Sequence, residues 1–410
     1  MSAASEWHLF DVFGVEMEYM IVDRRTLEIR SFADHLLREM AGDYVQSFER
    51  GDFAWSNELV CHVIELKTNG PAPRLGGLAG GFLREINFIN MRLDGSGAML
   101  LGTGAHPLMN PDLEIRLWPH GDRAIYRQYD RVFDCRGHGW SNLQSVHLNL
   151  PFVGDEEFGR LHAAIRLVLP IIPALAASTP ILNGEVTGYM DTRLETYRHN
   201  QDRIPSITGR VIPEQVFTES EYKRIIFDEI ERDIRPHDPD GVLEPVFLNS
   251  RGAIGRFDRQ AIEIRVIDTQ ECPSADMAVL DMIIAAVRML VEEATVPLAS
   301  QQAWPEDLLA DIFLDVVRDG DQAILVDREY LEVFGLGKGR MSAIAVWREL
   351  ANRLSGSLES ASRRPLARVL SDGPLARRLI GSLGRRPGRL EISHTYRQLG
   401  DCLAQDRLWP

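Results

Sequence analysis

Cysteine is scarce in this sequence. The 410 residues include only Cys61, Cys135, Cys272 and Cys402, and no two of them form a C-x-x-C pair. A disulfide framework and a thiolate zinc site both need cysteines that are paired or closely spaced. We therefore expect neither, and we expect a reduced, cytoplasmic protein.

Long hydrophobic runs and positive charge are also lacking. No stretch of about 18 apolar residues occurs, so we expect no membrane span. The first residues lack the basic start and the apolar run of a signal peptide. The net charge of -15 argues against nucleic acid or an anionic membrane surface as the main partner. A small anionic ligand stays compatible, because it needs only local arginines and Mg²⁺.

The common nucleotide-binding motifs are absent as well. Gly335-Leu-Gly-Lys-Gly-Arg340 lacks the glycine spacing of a P-loop and the hydroxyl residue after its lysine. Gly102-Thr-Gly-Ala-His-Pro107 lacks the third glycine of a dinucleotide fingerprint, and Pro107 prevents a helix from continuing. If the protein uses ATP, it does so without a P-loop.

Two carboxylates lie inside the otherwise apolar stretch Phe13–Asp23. With the two-residue period of a strand, Val15 and Met17 lie on one face, and Glu16 and Glu18 lie on the other. A buried ionised carboxylate is costly unless a cation or a hydrogen-bond donor compensates it. Two structures fit this pattern: a cation-binding pair, or an edge strand with two solvated glutamates.

Two later segments repeat the pattern of one polar and one apolar strand face. In Trp55–Thr68, the β-branched end predicts a strand that carries Glu65, with Glu58 on the approach to it. In Gln144–Pro151, alternation places His147 on the polar face, although a single histidine is more often structural.

A further strand is predicted at Ala261–Asp268, where Glu263, Arg265 and Ile267 alternate with aliphatic residues. Glu263 and Arg265 would line the same site as the other polar faces, or simply pair with each other. Polar faces of this kind are typical of a largely antiparallel sheet whose apolar face packs on helices.

Helical patterns fill most of the remaining chain. One long helix is broken by two prolines, and another has Ser274 as its N-cap. The polar segment 183–200, with Arg193 and Arg198, is predicted to be a functional loop or a loop-to-helix turn, although both arginines would more often lie on the surface. The helices are predicted at residues 31–40, from the glycine-rich 75–81 through Met91, at 155–178 with breaks at Pro170 and Pro173, at 219–231, from Ser274 to about Ala294, and along most of 296–410.

Together these motifs resemble the bacterial carboxylate-amine ligases of the glutamate–cysteine ligase type 2 family. They occur in the family's order and cover about residues 10–295. The stretches that carry the resemblance are Phe13-Gly-Val-Glu-Met-Glu18, Glu58–Thr68, Gly102–Pro107, Val146-His-Leu-Asn149, Ala174–Gly184 with Thr187-Gly-Tyr189 and Arg193, and Glu263-Ile-Arg265 to Ala275.

The resemblance implies an α+β, glutamine-synthetase-like fold, in which a curved antiparallel sheet forms a funnel backed by helices. It implies a catalytic domain at residues 1–295 and a helical C-terminal extension, 296–410, packed on the same domain. ATP with two or three Mg²⁺ or Mn²⁺ ions would bind on the polar face. The implied metal ligands are Glu16, Glu18, Glu65, His147 and Glu263.

The resemblance also implies roles for the remaining polar residues. Arg265 would steady the transferring phosphoryl group, and Arg193 and Arg198 would bind phosphate or a substrate carboxylate. Glu58 would serve a metal ion or the incoming amine. Family members suggest a homodimer that acts on small molecules.

The leading hypothesis is an ATP-dependent ligase that forms an amide, at the γ-carboxylate of glutamate, through an acyl phosphate. The alternatives are a phosphotransferase of the guanidino-kinase type on the same fold and an inactive binding protein. Residues 183–188 and 201–255 depart from the glutathione-making members, so the amine and the acid stay open.

Overall fold

The computed structural model of the protein describes residues 6–121, 123–337 and 339–410. Eight strands form one sheet in the order β2-β3-β4-β1-β6-β10-β9, and β5 pairs with the second half of β1. The strands are β1 (Gly14–Asp23), β2 (Ser47–Arg50), β3 (Phe53–Asn57), β4 (Val63–Thr68), β5 (Ala98–Leu101), β6 (Ser145–Pro151), β7 (Ile181–Leu182), β8 (Glu185–Val186), β9 (Ala253–Arg256), β10 (Ala261–Asp268), β11 (Ile324–Leu325) and β12 (Met341–Ser342).

The predicted antiparallel sheet backed by helices is confirmed, because every strand pair in the main sheet is antiparallel. β1 lies at its centre. Its apolar face, including Val15, Met17, Tyr19 and Ile21, is fully buried in the main hydrophobic core. The hairpin of β2 and β3 was not predicted, and it extends the sheet beyond β4.

Strand register aligns the acidic residues on the other face. Glu16 lies between Lys67 on β4 and His147 on β6, and Glu18 lies opposite Glu65. Since the side chains of directly paired residues point to the same face, these neighbours form one polar cluster. The sheet therefore brings together the acids that the sequence places on separate strands.

A bulge in β10 corrects one predicted alternation. Ile264 pairs with Leu148, but the next paired residue is Ile267, opposite Val146. The extra residue between these pairs turns Ile267 to the apolar face, where it is fully buried. The prediction that Ile267 shares a face with Glu263 was therefore wrong, and Asp268 occupies the polar face instead.

The helices cover both the sheet's apolar face and its ends. The longest, α12, packs against α2, α6 and α17. The α-helices are α1 (Ala33–Ala41), α2 (Leu78–Leu93), α3 (Pro111–Glu114), α4 (Arg123–Phe133), α5 (His138–Ser141), α6 (Gly154–Val168), α7 (Pro173–Ala176), α8 (Thr192–Tyr197), α9 (Glu219–Tyr222), α10 (Asp228–Ile234), α11 (Pro245–Leu248), α12 (Pro273–Val291), α13 (Leu298–Gln302), α14 (Glu306–Asp319), α15 (Arg328–Val333), α16 (Ala343–Arg353), α17 (Arg363–Asp372), α18 (Leu375–Leu383) and α19 (Arg389–Gln405).

The predicted breaks at Pro170 and Pro173 are confirmed: α6 ends at Val168 and α7 begins at Pro173. The predicted N-cap of α12 was wrong. Cys272 occupies the cap position and Pro273 the first turn, because the fixed φ of proline suits a helix start. The Ser274 hydroxyl instead donates to Asp406 near the C-terminus, at 2.5 Å.

The C-terminal helices pack on the rest of the chain. Phe313 of α14 and Trp347 of α16 are fully buried in the same core as β1. The Trp347 indole N–H donates to the carbonyl of Ile171 at 2.7 Å. The division at residue 295 stays a prediction. Among the residues that the structure describes, no helix is both long and apolar enough to cross a membrane.

Candidate active site

Histidine 147 lies at the centre of the polar face and contacts acids from two strands. Its Nδ1 lies 3.2 Å from Glu16 Oε2 and 4.0 Å from Glu263 Oε1, and its Nε2 lies 4.0 Å from Glu18 Oε1. The amide of Asn149 donates to the other oxygen of Glu16 at 3.2 Å. The sheet thus brings three of the predicted metal-ligating acids close to the imidazole of His147, which was also predicted as a ligand.

Serine 145 connects His147 to Glu18. Its backbone N–H donates to Glu18 Oε2 at 2.7 Å, and its hydroxyl lies 3.2 Å from the same oxygen and 2.9 Å from His147 Nε2. If the hydroxyl donates to Glu18, it accepts from Nε2–H, and Nδ1–H donates to Glu16. Both ring nitrogens then carry protons, and His147 is an imidazolium between two carboxylates, which would release one proton on binding a metal ion.

The acids from β4 and the preceding turn complete the cluster. Glu65 Oε1 accepts from the Ser56 hydroxyl at 2.5 Å and from Lys67 Nζ at 2.8 Å. Glu58 follows β3 and lines the same cleft as Glu18. The turn between β3 and β4 therefore adds a carboxylate that strand alternation alone would not place here.

The electrostatics of the cluster follow from burial and mutual repulsion. Burial opposes ionisation of Glu16, but its hydrogen bond to His147 and the nearby charges of His147 and Lys67 lower its pKa below the ordinary range. Burial and the charge of Glu16 raise the pKa of Glu65. Burial, Glu18 and Glu65 raise the pKa of Glu58 well above its ordinary value. Mutual repulsion thus disfavours ionisation of Glu58 and Glu65, and a bound cation would relieve it.

Two sets of side chains in this cluster could each hold a divalent cation. The ligand atoms of Glu16, Glu65 and His147 lie within 4.8 Å of one another, and so do those of Glu18, Glu58 and Glu65. Mg²⁺ binds oxygen ligands at about 2.0–2.1 Å, which brings opposite ligands to about 4.2 Å from each other. Small side-chain rotations suffice, and Mn²⁺ also accepts the imidazole. The residues fit the implied ions, with Glu65 shared between the two sets.

Two arginines flank Glu263 at the edge of this cluster. Arg256 Nε lies 3.2 Å from Glu263 Oε2, and Arg265 Nε lies 3.4 Å from Glu263 Oε1. Neither Nε has a hydrogen-bond partner of good geometry, although both are buried. Glu263 and Arg265 do pair with each other, as one of the predicted alternatives holds, but they do so beside His147 and not on an open face.

Arg193 is buried at the cleft and not on the surface. It lies at the start of α8, and its Nε donates to Asp268 Oδ1, the residue that the bulge turns to the polar face. The structure does not bring Arg198 to the cluster. Arg198 follows the end of α8, and both its Nε and its Nη2 donate to Glu195 of that helix, at 2.7 and 2.9 Å.

Two clefts open on opposite sides of the acidic cluster. A cleft of about 250 Å³ reaches Glu18 and His147 and is lined also by Arg193, Arg265 and several aromatic rings. A second cleft of about 410 Å³ reaches Glu16 and carries Trp7, Lys67 and Arg259 on its walls. The cluster can therefore be approached by one ligand from each side.

Several residues at the cluster had no predicted role. Ser56, Lys67 and Ser145 lie within the segments Trp55–Thr68 and Gln144–Pro151, and their sequence pattern assigned them no role. Lys67 could have been identified, because it lies within the Glu-Leu-Lys-Thr stretch that ends β4. Asp268 was missed because strict alternation along β10 would place it on the apolar face.

Comparisons with known proteins agree with this architecture. Residues 12–324 match the family described as glutamate-cysteine ligase family 2. The crystal structure of the glutamate–cysteine ligase of Francisella tularensis in complex with AMP superposes with a TM-score of 0.61 at 13% identity, covering 98% of this chain and 90% of that one. At that identity the superposition shows the fold.

Two curated relatives illustrate the similarity. An uncharacterised protein of Archaeoglobus fulgidus is 35% identical over 316 residues, which cover 76% of this chain and 81% of that protein. A protein of Clavibacter sepedonicus, provisionally named glutamate–cysteine ligase 2, is 25% identical over 259 residues, covering 60% of this chain and 62% of that protein.

Fold, acidic cluster and family match together define an ATP-dependent carboxylate–amine ligase. The match extends over well more than half of the chain. The chain belongs to glutamate–cysteine ligase family 2.

Proposed function

We propose that the protein joins the γ-carboxylate of glutamate to an amine in an ATP-dependent reaction that passes through an acyl phosphate. The observation that carries this proposal is the convergence of Glu16, Glu18, Glu65 and Glu263 on His147, between two clefts. A carboxylate is a poor electrophile and must be activated before an amine can attack it. Such a reaction needs positioning and charge compensation more than a nucleophile from the protein.

The cluster would hold Mg²⁺ or Mn²⁺. Glu16, Glu65 and His147 would bind one ion, Glu18 and Glu65 a second, and Glu263 would bind or orient a further one. When bound, the ions neutralise phosphate oxygens and offset the charge that develops in phosphoryl transfer. Glu65 would keep its oxygens in place through Ser56 and Lys67.

We assign the wider cleft, with Trp7, Lys67 and Arg259, to the nucleotide. Its mixed apolar and basic lining suits a purine and its phosphates. The opposite cleft, with Arg193 and Arg265, would take the acid. This arrangement directs the γ-phosphate and the acid carboxylate toward each other across the acidic cluster, which is what in-line transfer requires.

Each of two arginines would bind one anionic group, either the carboxylate of the acid or the phosphoryl group. Arg265 lies beside Glu263 and would steady the phosphoryl group during transfer. Arg193, oriented by Asp268, would bind the α-carboxylate of glutamate. Arg198 is engaged by Glu195 and takes no part in this assignment.

Glu58 would act on the amine. Burial and the charges of Glu18 and Glu65 raise its pKa well above the ordinary value, so its carboxylate is a stronger base than an exposed glutamate. The amine nitrogen attacks the acyl carbon, the bond to phosphate breaks, and the surplus proton of the nitrogen passes to Glu58.

The proposal is tested by comparing phosphate release in the complete reaction with phosphate release when one substrate is left out. The protein is incubated with ATP, Mg²⁺, glutamate and a panel of amines, and new amides are identified by mass. Phosphate release that requires both acid and amine supports the ligase. A stable phosphorylated product would support the guanidino-kinase type of phosphotransferase, and no turnover without nucleotide binding would leave an inactive binding protein.

We also keep a homodimer and a cytoplasmic location as proposals, since family members suggest the first and the scarcity of cysteine suggests the second. Light scattering on the protein as it elutes from a size-exclusion column tests the dimer. A mass twice that of one chain supports the dimer, and the mass of one chain contradicts it. Localisation of a tagged chain tests the compartment.

A further inference from the structure

The cleft beside Glu18 and Glu58 has a wall of aromatic rings. The wall consists of Tyr126, Tyr129, Trp140, Tyr197 and Phe247. The rings of Tyr129 and Trp140 pack at 5.4 Å between centroids. The Tyr129 hydroxyl donates to the carbonyl of Phe247 at 3.1 Å, so this side chain presents its ring to the cleft and keeps its polar atom occupied.

Several polar amides and hydroxyls of the same cleft are also occupied. Asn200 Nδ2 donates to the carbonyl of Gly139 at 3.0 Å, and Gln201 Nε2 donates to Ser250 Oγ at 3.1 Å. The Ser250 hydroxyl donates in turn to a backbone carbonyl at 2.9 Å. These groups are held within the protein, whereas the Tyr197 hydroxyl is buried without a hydrogen-bond partner and offers a ligand one neutral donor.

The charges of the cleft favour an ammonium over a carboxylate. In the described part of the chain, Arg193, Arg265 and His147 are the basic residues that line it, against the acids Glu18 and Glu58, and His147 already lies between Glu16 and Glu18. Under the proposed function, both arginines serve the donor acid and its phosphoryl group. An acceptor that carried its own carboxylate would leave that group buried next to acids with no cation to pair with.

We propose that the acceptor is a primary amine with an apolar or aromatic body and no carboxylate, an arylalkylamine rather than an α-amino acid. This inference rests on the proposed function. Glu58 attracts the ammonium group as it enters, and the ring faces of Trp140 and its neighbours pack on the hydrocarbon body and attract the cation. The cleft of about 250 Å³ limits that body to a small group.

The group transfer balances without any further reactant. The amine gives up one proton before its lone pair attacks the acyl carbon of γ-glutamyl phosphate, and a C–N bond forms. The C–O bond to phosphate breaks, and inorganic phosphate leaves with the electron pair. The nitrogen then loses a second proton, and the product is a neutral γ-glutamyl amide.

Matched acceptor pairs test the inference. Phenethylamine is compared with phenylalanine, and cysteamine with cysteine, in the presence of ATP, Mg²⁺ and glutamate. Each pair differs only by the carboxylate. We expect kcat/KM to be at least about 10-fold higher for the amine of each pair, since an unpaired buried charge costs well over 1.4 kcal/mol. Equal or better use of phenylalanine or cysteine would overturn the inference.

Hydroxylamine separates failure of the inference from failure of the proposed function. It is small enough to trap the acyl phosphate as a hydroxamate without using the aromatic wall. Hydroxamate formation together with a preference for amino acids would overturn only the inference. No hydroxamate and no amide with any acceptor would overturn both.

A charge-gain variant gives an independent test. Phe247 is 55% exposed at the rim of the cleft, so Phe247→Arg adds a cation there with little cost to folding. We expect the phenethylamine-to-phenylalanine ratio of kcat/KM to fall by about 10-fold, whereas Phe247→Leu, the matched neutral change, keeps the preference for the amine. An identical ratio in both variants would contradict the charge argument.

Discussion

The guanidinium of Arg193 and the carboxylate of Asp268 form an ion pair that is almost completely buried, with 2% and 0% of the two residues exposed. Asp268 reaches this position only because the bulge in β10 turns it to the polar face. Its second oxygen accepts from the backbone N–H of Ser178 at 2.8 Å and from the hydroxyl of Thr179 at 3.0 Å. Asp268 therefore fixes where Arg193 points.

Substituting Asp268 with asparagine should weaken binding of the acid substrate. Arg193 loses the charge that orients it, and we expect KM for glutamate to rise by about 10-fold or more with a smaller change in kcat. Loss of one partner of a buried pair should also lower the free energy of unfolding by about 3–5 kcal/mol.

Steady-state kinetics and urea unfolding measure the two effects. Glu195→Gln breaks the less buried pair with Arg198 and is the matched control. An Asp268→Asn variant that folds and keeps the normal KM for glutamate would show that Asp268 has only a structural role.

Removal of single charges from β1 tests the cation site. Glu16→Gln and Glu18→Gln preserve side-chain volume but each remove a proposed metal ligand. We expect turnover to fall by about 100-fold or more, with a higher Mg²⁺ concentration needed for half-maximal rate, while circular dichroism stays unchanged. Glu28→Gln, at an exposed position outside the cluster, is the control. Near-normal turnover in both β1 variants would rule out the metal assignment.

The C-terminal helices should be required for folding. Truncation after residue 295 removes Trp347 and exposes the core face of α6 and α7 that α14 and α16 cover. We expect the 1–295 fragment to aggregate when expressed. The milder change Trp347→Ala should lower the free energy of unfolding by about 3–5 kcal/mol, since it leaves a large cavity and an unpaired carbonyl at Ile171.

A soluble fragment of residues 1–295 with cooperative unfolding would contradict that expectation. Such a result would make 296–410 a separate unit and not part of the same domain.

Histidine 106 should make stability fall in mild acid. Its Nε2 lies 2.9 Å from the carbonyl of Leu27, and its Nδ1 accepts from the N–H of Leu108 at 3.1 Å, which fits a neutral ring. Burial lowers its pKa from 6.5 to about 3. Between these values the unfolded chain binds the extra proton, so stability is full above about pH 6.5 and is lost as the pH falls.

Urea unfolding at several pH values measures this effect. Across pH 4–6 the wild-type slope should exceed that of His106→Gln by about 1.4 kcal/mol per pH unit, the value for one proton. Equal slopes in the two proteins would show that His106 does not titrate as described.

Much of the fold and part of the site could be predicted from sequence because strand alternation is a local signal. Glu16, Glu18, Glu65 and His147 each stand out as polar residues within short apolar strands. Their convergence depends on register across strands that are far apart in the chain, which no local pattern encodes. The resemblance to a known family supplied that step.

The features of the site that could not be predicted depend on irregular geometry. A bulge shifts the period of β10 by one residue, and no composition signal marks it, so strict alternation misplaces Ile267 and gives no reason to expect Asp268 on the polar face. Arg193 and Arg198 lie five residues apart on one short segment and look equivalent in sequence. Only the packing of α8 separates the buried arginine from the one paired with Glu195.

The most direct test of the central claim, that the reaction passes through an acyl phosphate, uses an oxygen-18 label. Glutamate labelled with oxygen-18 in its γ-carboxylate is incubated with ATP, Mg²⁺, the protein and an accepted amine, and the released phosphate is analysed by mass spectrometry. An acyl-phosphate route transfers one labelled oxygen to each phosphate as the amide forms. Unlabelled phosphate alongside amide, or label in AMP, would contradict the account.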